Sequence, residues 1–140
     1  PESLKVTLQT LDRLKQKSSS NLICVFGCGG NRDANKRPIM GKIAASYADF
    51  GYITSDNPRK EPVDKISQEI MSGICLKKKG DWLLIPDRRK AIETAITEAD
   101  KNDIVLIAGK GHEKTQQIKG VLFEFSDKKV VEDLIQKGIN

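Results

Sequence analysis

Leu22-Ile23-Cys24-Val25-Phe26-Gly27-Cys28-Gly29-Gly30-Asn31-Arg32-Asp33 sets five apolar residues in a row against a loop of glycine and charge. A continuous apolar run stopped by glycine predicts a strand buried on both faces of a parallel sheet; strict alternation would mark a sheet with one face in water. From Pro38 onward Ile39, Ile43, Ala44 and Tyr47 recur at helical spacing, and Phe50 to Thr54 returns to strand character. That completes one β-loop-α-β unit. Upstream, Leu4, Leu8 and Leu11, with Val6 and Leu14 alongside, predict an amphipathic helix from Glu2 to about Lys17, ended by Ser18-Ser19-Ser20-Asn21.

Downstream the alternation continues. Pro62 suits the first turn of a helix, Val63, Ile66, Ile70 and Ile74 mark its buried face, and Gly73 or Gly80 closes the region. Trp82 to Ile85 predicts a third strand. Asp87 can cap a helix carrying Ala91, Ile92, Ala95, Ile96 and Ala99, and Ile104 to Ala108 predicts a fourth strand. Gln117-Ile118, a Lys119-Gly120 turn and Val121 to Phe125 read as a hairpin, followed by a helix capped by Ser126 or Asp127 and running through Ile135. The expected class is α/β: a mostly parallel sheet of four buried strands, covered by helices, with an antiparallel addition near the C-terminus.

Length and composition bound the rest. The 140 residues predict a single domain, 1–140, and 24 Lys+Arg against 19 Asp+Glu leave a net charge of +5. No apolar stretch is long enough to span a bilayer, and Pro1-Glu2-Ser3-Leu4-Lys5 does not resemble a signal peptide, so no membrane association is expected. The lack of an initiator methionine points to a piece of a longer polypeptide. Three cysteines, Cys24, Cys28 and Cys75, argue against a disulfide framework and for a cytoplasmic location. With His112 as the one histidine, they make a zinc site improbable. Lys77-Lys78-Lys79 reads as a solvated loop, because the basic excess is spread along the chain and aromatics are only 5%; no nucleic-acid partner is expected.

Ligands of an open parallel sheet bind beyond the carboxyl ends of its strands. Four loops qualify: Gly27 to Arg37, Ser55 to Lys60, Pro86 to Arg89, and Gly109 to Gln116. The first can offer backbone N–H groups and Arg32 to an anion, but it is neither a dinucleotide fingerprint nor a G-x-x-x-x-G-K-[ST] phosphate loop. The second, Asp56-Asn57-Pro58-Arg59, sets a planar guanidinium beside a stiffened turn, and an Asx-type turn is its simpler explanation. The fourth puts Glu113 and His112 on a glycine hinge, where the carboxylate suits an ammonium. A Cys28-His112 nucleophile pair has no local support.

Val25 to Asp33, Lys36-Arg37-Pro38-Ile39-Met40-Gly41, Thr54 to Arg59, Asp87-Arg88 and Ala108 to Glu113, in that order, resemble the C-terminal domain of the Mur ligases of peptidoglycan synthesis, in their MurE-type branch. Asn31 is one departure, standing where many members carry aspartate. The resemblance implies a Rossmann-like, three-layer domain that receives the incoming amino acid. The N-terminal uridine-nucleotide domain and the central ATPase domain lie elsewhere, and with them the ATP and Mg2+ of the full-length enzyme. It implies meso-diaminopimelate and UDP-MurNAc-L-Ala-D-Glu as substrates, the Asp-Asn-Pro-Arg motif marking the diaminopimelate enzymes. The implied contacts to the amino acid are Arg32, Asp56, Asn57, Pro58, Arg59, Gly109 and Glu113. Arg32 would hold a carboxylate, Arg59 and Asn57 the distal carboxylate end, and Gly109 and Glu113 the distal ammonium. No catalytic residue, cofactor or metal is expected within this segment, which alone would be inactive. The competing expectation is a stand-alone, non-catalytic module that binds a small anionic ligand or a protein partner.

Overall fold

The computed structural model describes residues 1–15, 19–110 and 113–138. β1 (Leu22–Phe26) is buried along its whole length. Its side chains alternate between two cores: Leu22, Cys24 and Phe26 belong to one, Ile23 and Val25 to the other. That is why the apolar run is unbroken. β1 pairs in parallel with β2 (Phe50–Ile53) on one side and with β4 (Ile104–Ile107) on the other, and β2 pairs in parallel with β3 (Trp82–Leu84). The sheet order is β3-β2-β1-β4.

Helices cover both faces. α1 (Glu2–Leu14), α2 (Lys36–Tyr47) and α3 (Val63–Met71) bring Leu4, Leu8, Ala44, Ala45, Ile66 and Ile70 to the first core. α5 (Arg88–Glu98) and α6 (Asp127–Gln136) bring Ala91, Ile92, Ala95, Ile96, Val130 and Leu134 to the second. The expected caps hold: Asp87 accepts from the Lys90 N–H, and Ser126 from the Lys129 N–H. The chain winds outward from β1 through β2 to β3 and then returns to β1's other side as β4. The strand order therefore reverses between β1 and β4, and a crevice opens beyond their carboxyl ends.

Several expectations need correction. Trp82 is buried, but Leu83 and Leu84 are 56% and 38% exposed, and every residue of β4 is only half-buried. Both strands form sheet edges, which helices cover less completely than a centre. The expected antiparallel addition is present: β5 (Thr115–Ile118) and β6 (Val121–Glu124) form a separate two-stranded sheet, joined to the rest by a bridge between Arg59 and Ile118. α1 stops at Leu14, where Lys15 turns extended and its ammonium reaches Asp49 at 3.1 Å; Lys17 and Ser18 lie outside the described residues. α2 begins at Lys36, with Pro38 inside its first turn, where a missing N–H breaks no intrahelical bond. Pro62 is the N-cap of α3, and buried Ile74 lies beyond the helix's end. Lys77 to Lys79 form one helical turn, α4 (Leu76–Lys79), pinned by Lys78 donating to the Ala45 carbonyl at 2.8 Å.

Candidate functional site

Three of the four strand-exit loops meet at the crevice, and backbone contacts hold the first two together. The Gly30 N–H donates to the Asn57 carbonyl at 2.7 Å, and a Cβ on Gly30 would overlap the Pro58 carbonyl. Only glycine permits that approach. Pro58 is buried in this contact. Arg59, with φ +54°, turns its backbone toward the hairpin, where its N–H donates to the Gln117 carbonyl at 3.0 Å. A left-handed arginine costs on the order of 1–3 kcal/mol, which the surrounding contacts must offset.

Two buried arginines act as struts. Arg37, 1% exposed, donates to the Glu61 carboxylate at 2.9 and 3.1 Å, to Glu69 and to the Gly29 carbonyl, so it fastens the first loop to the turn entering α3. Glu61 also accepts the Asn31 N–H at 2.6 Å. The Arg37 guanidinium, this N–H and Lys65 together hold the Glu61 carboxyl down at about 2. Arg88, also 1% exposed, grips Asp127 bidentately at 2.7 and 2.8 Å and donates to the carbonyls of Ser55 and Ala108. One side chain thereby ties the exits of β2 and β4 to the start of α6.

Around these struts the polar groups converge. A cavity of about 450 Å³ is lined by Gly27, Cys28, Gly29, Arg32, Asp33, Lys36, Arg37, Met40, Asp56 and Gly109. Arg32 is exposed at its rim, and the Arg32 and Arg59 side chains both lie against Gly29. Arg59 Nη1 donates to the carbonyls of Gly30 at 2.9 Å and Asn57 at 3.3 Å, which anchors one arm of the guanidinium. Asn57 Nδ2 donates to Glu113 Oε1 at 3.2 Å. Gly109, at φ +110°, brings the β4 exit against Asp56 in a conformation that glycine favours. Burial pushes the Asp56 carboxyl up, opposed by Arg88 and Lys110.

Of the seven residues singled out from the sequence, Arg32, Asp56 and Gly109 border the cavity, while Asn57, Arg59 and Glu113 cluster beside it. Burial raises the Cys28 thiol to about 11, which disfavours the thiolate, and its sulfur sits 3.6 Å from that of Met40. His112 and Gly111, and with them the Cys28-His112 pair, lie outside the described residues. The Pro86 to Arg89 loop contributes Asp87 and Arg89 to a different, larger cavity of about 820 Å³ against the hairpin and α6. Sequence reasoning missed the buried polar framework of Arg37, Arg88, Lys110, Gln116 and Asp127. Arg37, Arg88 and Lys110 stood inside the quoted motifs, but nothing local distinguishes a buried cation from a solvated one. Among the described residues no three histidine, cysteine or carboxylate side chains group as metal ligands, and no helix is long and apolar enough to cross a membrane.

Comparison with known proteins accords with this geometry. The chain is 49% identical over 136 residues to the UDP-N-acetylmuramoyl-L-alanyl-D-glutamate--2,6-diaminopimelate ligase of Syntrophomonas wolfei subsp. wolfei, covering 97% of this chain and 27% of that one. It is 48% identical over 135 residues to the enzyme of the same name from Aquifex aeolicus, covering 96% and 27%. A solved structure of a ligase with that name superposes with a TM-score of 0.88 at 40% identity, over 100% of this chain and 28% of that chain. The chain thus spans about a quarter of the length of the relatives it matches. The family model described as "Mur ligase, glutamate ligase domain" matches residues 1–111, four-fifths of the sequence, and by that match the chain belongs to the Mur ligase family.

Proposed function

We propose that this chain is the part of a peptidoglycan ligase that receives meso-diaminopimelate and presents its amine to UDP-MurNAc-L-Ala-D-Glu. The observation that carries the reading is that the Arg59 guanidinium and the Arg32 side chain flank Gly29 while the Asn57-Glu113 pair sits at the same strand exits. A diamino dicarboxylate has a carboxylate and an ammonium at each end, and this cluster offers both cationic donors and an anionic acceptor. Arg59 has one arm anchored on backbone, and among the described residues its Nε and Nη2 have no partner, which suits them to a carboxylate. Glu113 is exposed and suits the adjacent ammonium. Arg32, at the cavity rim, suits a second carboxylate.

The chain's contribution to the reaction is then orientation. Holding both ends of the amino acid fixes its reactive amine in direction and raises its effective concentration, without any covalent step on the protein. In the whole enzyme ATP would supply the phosphoryl group that turns the D-glutamyl γ-carboxylate into an acyl phosphate, with ADP leaving, and attack by the amine would then release phosphate and the amine's proton. No G-x-x-x-x-G-K-[ST] segment occurs in this sequence, so the reading assigns that cradle to the remainder of the longer relatives. The free thiols of Cys24, Cys28 and Cys75 support a reducing, cytoplasmic setting.

Arg59→Ala in the full-length ligase tests the assignment. Its kcat/KM for meso-diaminopimelate should fall by about 10²-fold or more, and lysine, which has no distal carboxylate, should gain relative to it. KM for ATP and for the nucleotide substrate should hold. An unchanged ratio of kcat/KM for diaminopimelate over lysine would make Arg59 a turn residue only.

A further inference from the structure

Lys110 is 2% exposed at the very mouth of the site, and the reading above gives it no task. A buried ammonium is costly unless its protons are partnered, and here they are. Nζ donates to Asn57 Oδ1 at 2.9 Å and to the Thr115 carbonyl at 2.8 Å, and it faces Glu113 Oε1 and Asp56 Oδ1 at 3.5 Å each. These partners come from the loop after β2, the loop after β4 and the first residue of β5. One cation therefore joins the exits of β2 and β4, strands that are not neighbours in the sheet.

The consequence falls on Asn57. Its Oδ1 receives the Lys110 ammonium and the Gln117 backbone N–H, also at 2.9 Å, and both groups can only donate. The amide consequently has one orientation, with Nδ2 on the side of Glu113, 3.2 Å from Oε1. With its second N–H, Nδ2 can still donate to a ligand. An apolar side chain at position 110 would leave Asn57 Oδ1 with a single donor and Glu113 without its nearby cation.

We infer that Lys110 is a positioning residue for amino-acid recognition: it holds the Asn57 amide with its donor edge toward the ligand and keeps Glu113 beside it. The substrate then meets a donor for carboxylate and an acceptor for ammonium already set at a fixed separation. The inference rests on the amino-acid-binding reading of this site, and acts through Asn57 and Glu113 rather than through contact with the reacting atoms.

The test is a mutant cycle in the full-length ligase, reading KM for meso-diaminopimelate, ATP and the nucleotide substrate together with kcat. Lys110→Met should raise KM for diaminopimelate about 10- to 100-fold, the usual range for losing a hydrogen bond to a charged group, while the other two KM values stay within about twofold. Lys110→Arg, which can still donate to Asn57 Oδ1, should recover part of the loss. Lys110→Met combined with Asn57→Ala should be little worse than Asn57→Ala alone, because both act through the same amide. Additive losses, or a parallel rise in all three KM values, would overturn the proposal. If Lys110→Met does not fold, the same cycle with Lys110→Ala, which has no donor, decides: an unchanged KM for diaminopimelate overturns it. If Asn57→Ala and Arg59→Ala also leave that KM untouched, the amino-acid reading itself fails; if they raise it and the Lys110 variants do not, only the role of Lys110 fails.

Discussion

Asp56 answers to two opposed demands. Its carboxyl sits beside Gly109 and the cavity, where a charged oxygen can meet a ligand, yet burial disfavours that charge and lifts its pKa above the ordinary 3.8 despite Arg88 and Lys110 nearby. An acid whose folded pKa is raised favours the folded state most below its unfolded pKa, and that advantage is lost as pH rises through the folded value. At neutral pH the ionised Asp56 therefore costs stability. Asp56→Asn should unfold at higher denaturant concentration than the parent at pH 7, with the difference shrinking as pH falls toward 4. Urea melts across that range check it. A variant less stable at pH 7 would show that the Lys110 and Arg88 charges outweigh burial. Residues that keep such a cost are candidates for ligand contact, since sites trade stability for function.

At the scale of elements, loops that the backbone alone could not align are held by buried guanidinium groups. Arg88 spans the exits of β2 and β4 and the first turn of α6. Arg88→Met would leave Asp127, 7% exposed, as an unpaired buried carboxylate and should destabilise the fold by about 3–5 kcal/mol. Adding Asp127→Leu should recover most of that loss, because removing both charges leaves neither one stranded. Equilibrium urea unfolding of the single and double variants measures both; a cost below about 1 kcal/mol for the single change would remove Arg88 from the framework. This framework was not legible in the sequence. Arg88 and Arg89 are adjacent and chemically identical, yet one is buried and bidentate while the other lies at the surface, 3.6 Å from Asp133. Only the docking of α6 distinguishes them.

For the molecule as a whole, the crevice is proposed to offer contacts to an amino acid, and the sequence holds no G-x-x-x-x-G-K-[ST] segment to cradle a nucleoside triphosphate. The chain by itself should bind meso-diaminopimelate weakly, detectable by calorimetry, and show no ligation and no substrate-stimulated ATP hydrolysis. Turnover of ATP by this segment would contradict the division of labour proposed here. Binding that survives Arg59→Ala would contradict the assignment of the site.

Much of the architecture followed from one-dimensional pattern. The unbroken run Leu22 to Phe26 implied burial on both faces, helical spacing identified the helices that cover it, and side-chain caps at Asp87 and Ser126 marked two helix starts. These are local signals, decided by residues within a turn or a strand of one another. The motifs Asp56 to Arg59 and Gly109 to Glu113 were visible in the same way, though their meaning came from resemblance. Tertiary structure decided what local signals cannot carry. β3 and β4 became half-exposed edges because of the order in which strands pair, and the hairpin stood apart from the sheet. Lys110 was buried because Asn57, 53 residues away, and Asp56 close on it from the exit of β2. Burial of a charge depends on partners distant in sequence, and only the folded chain brings them together.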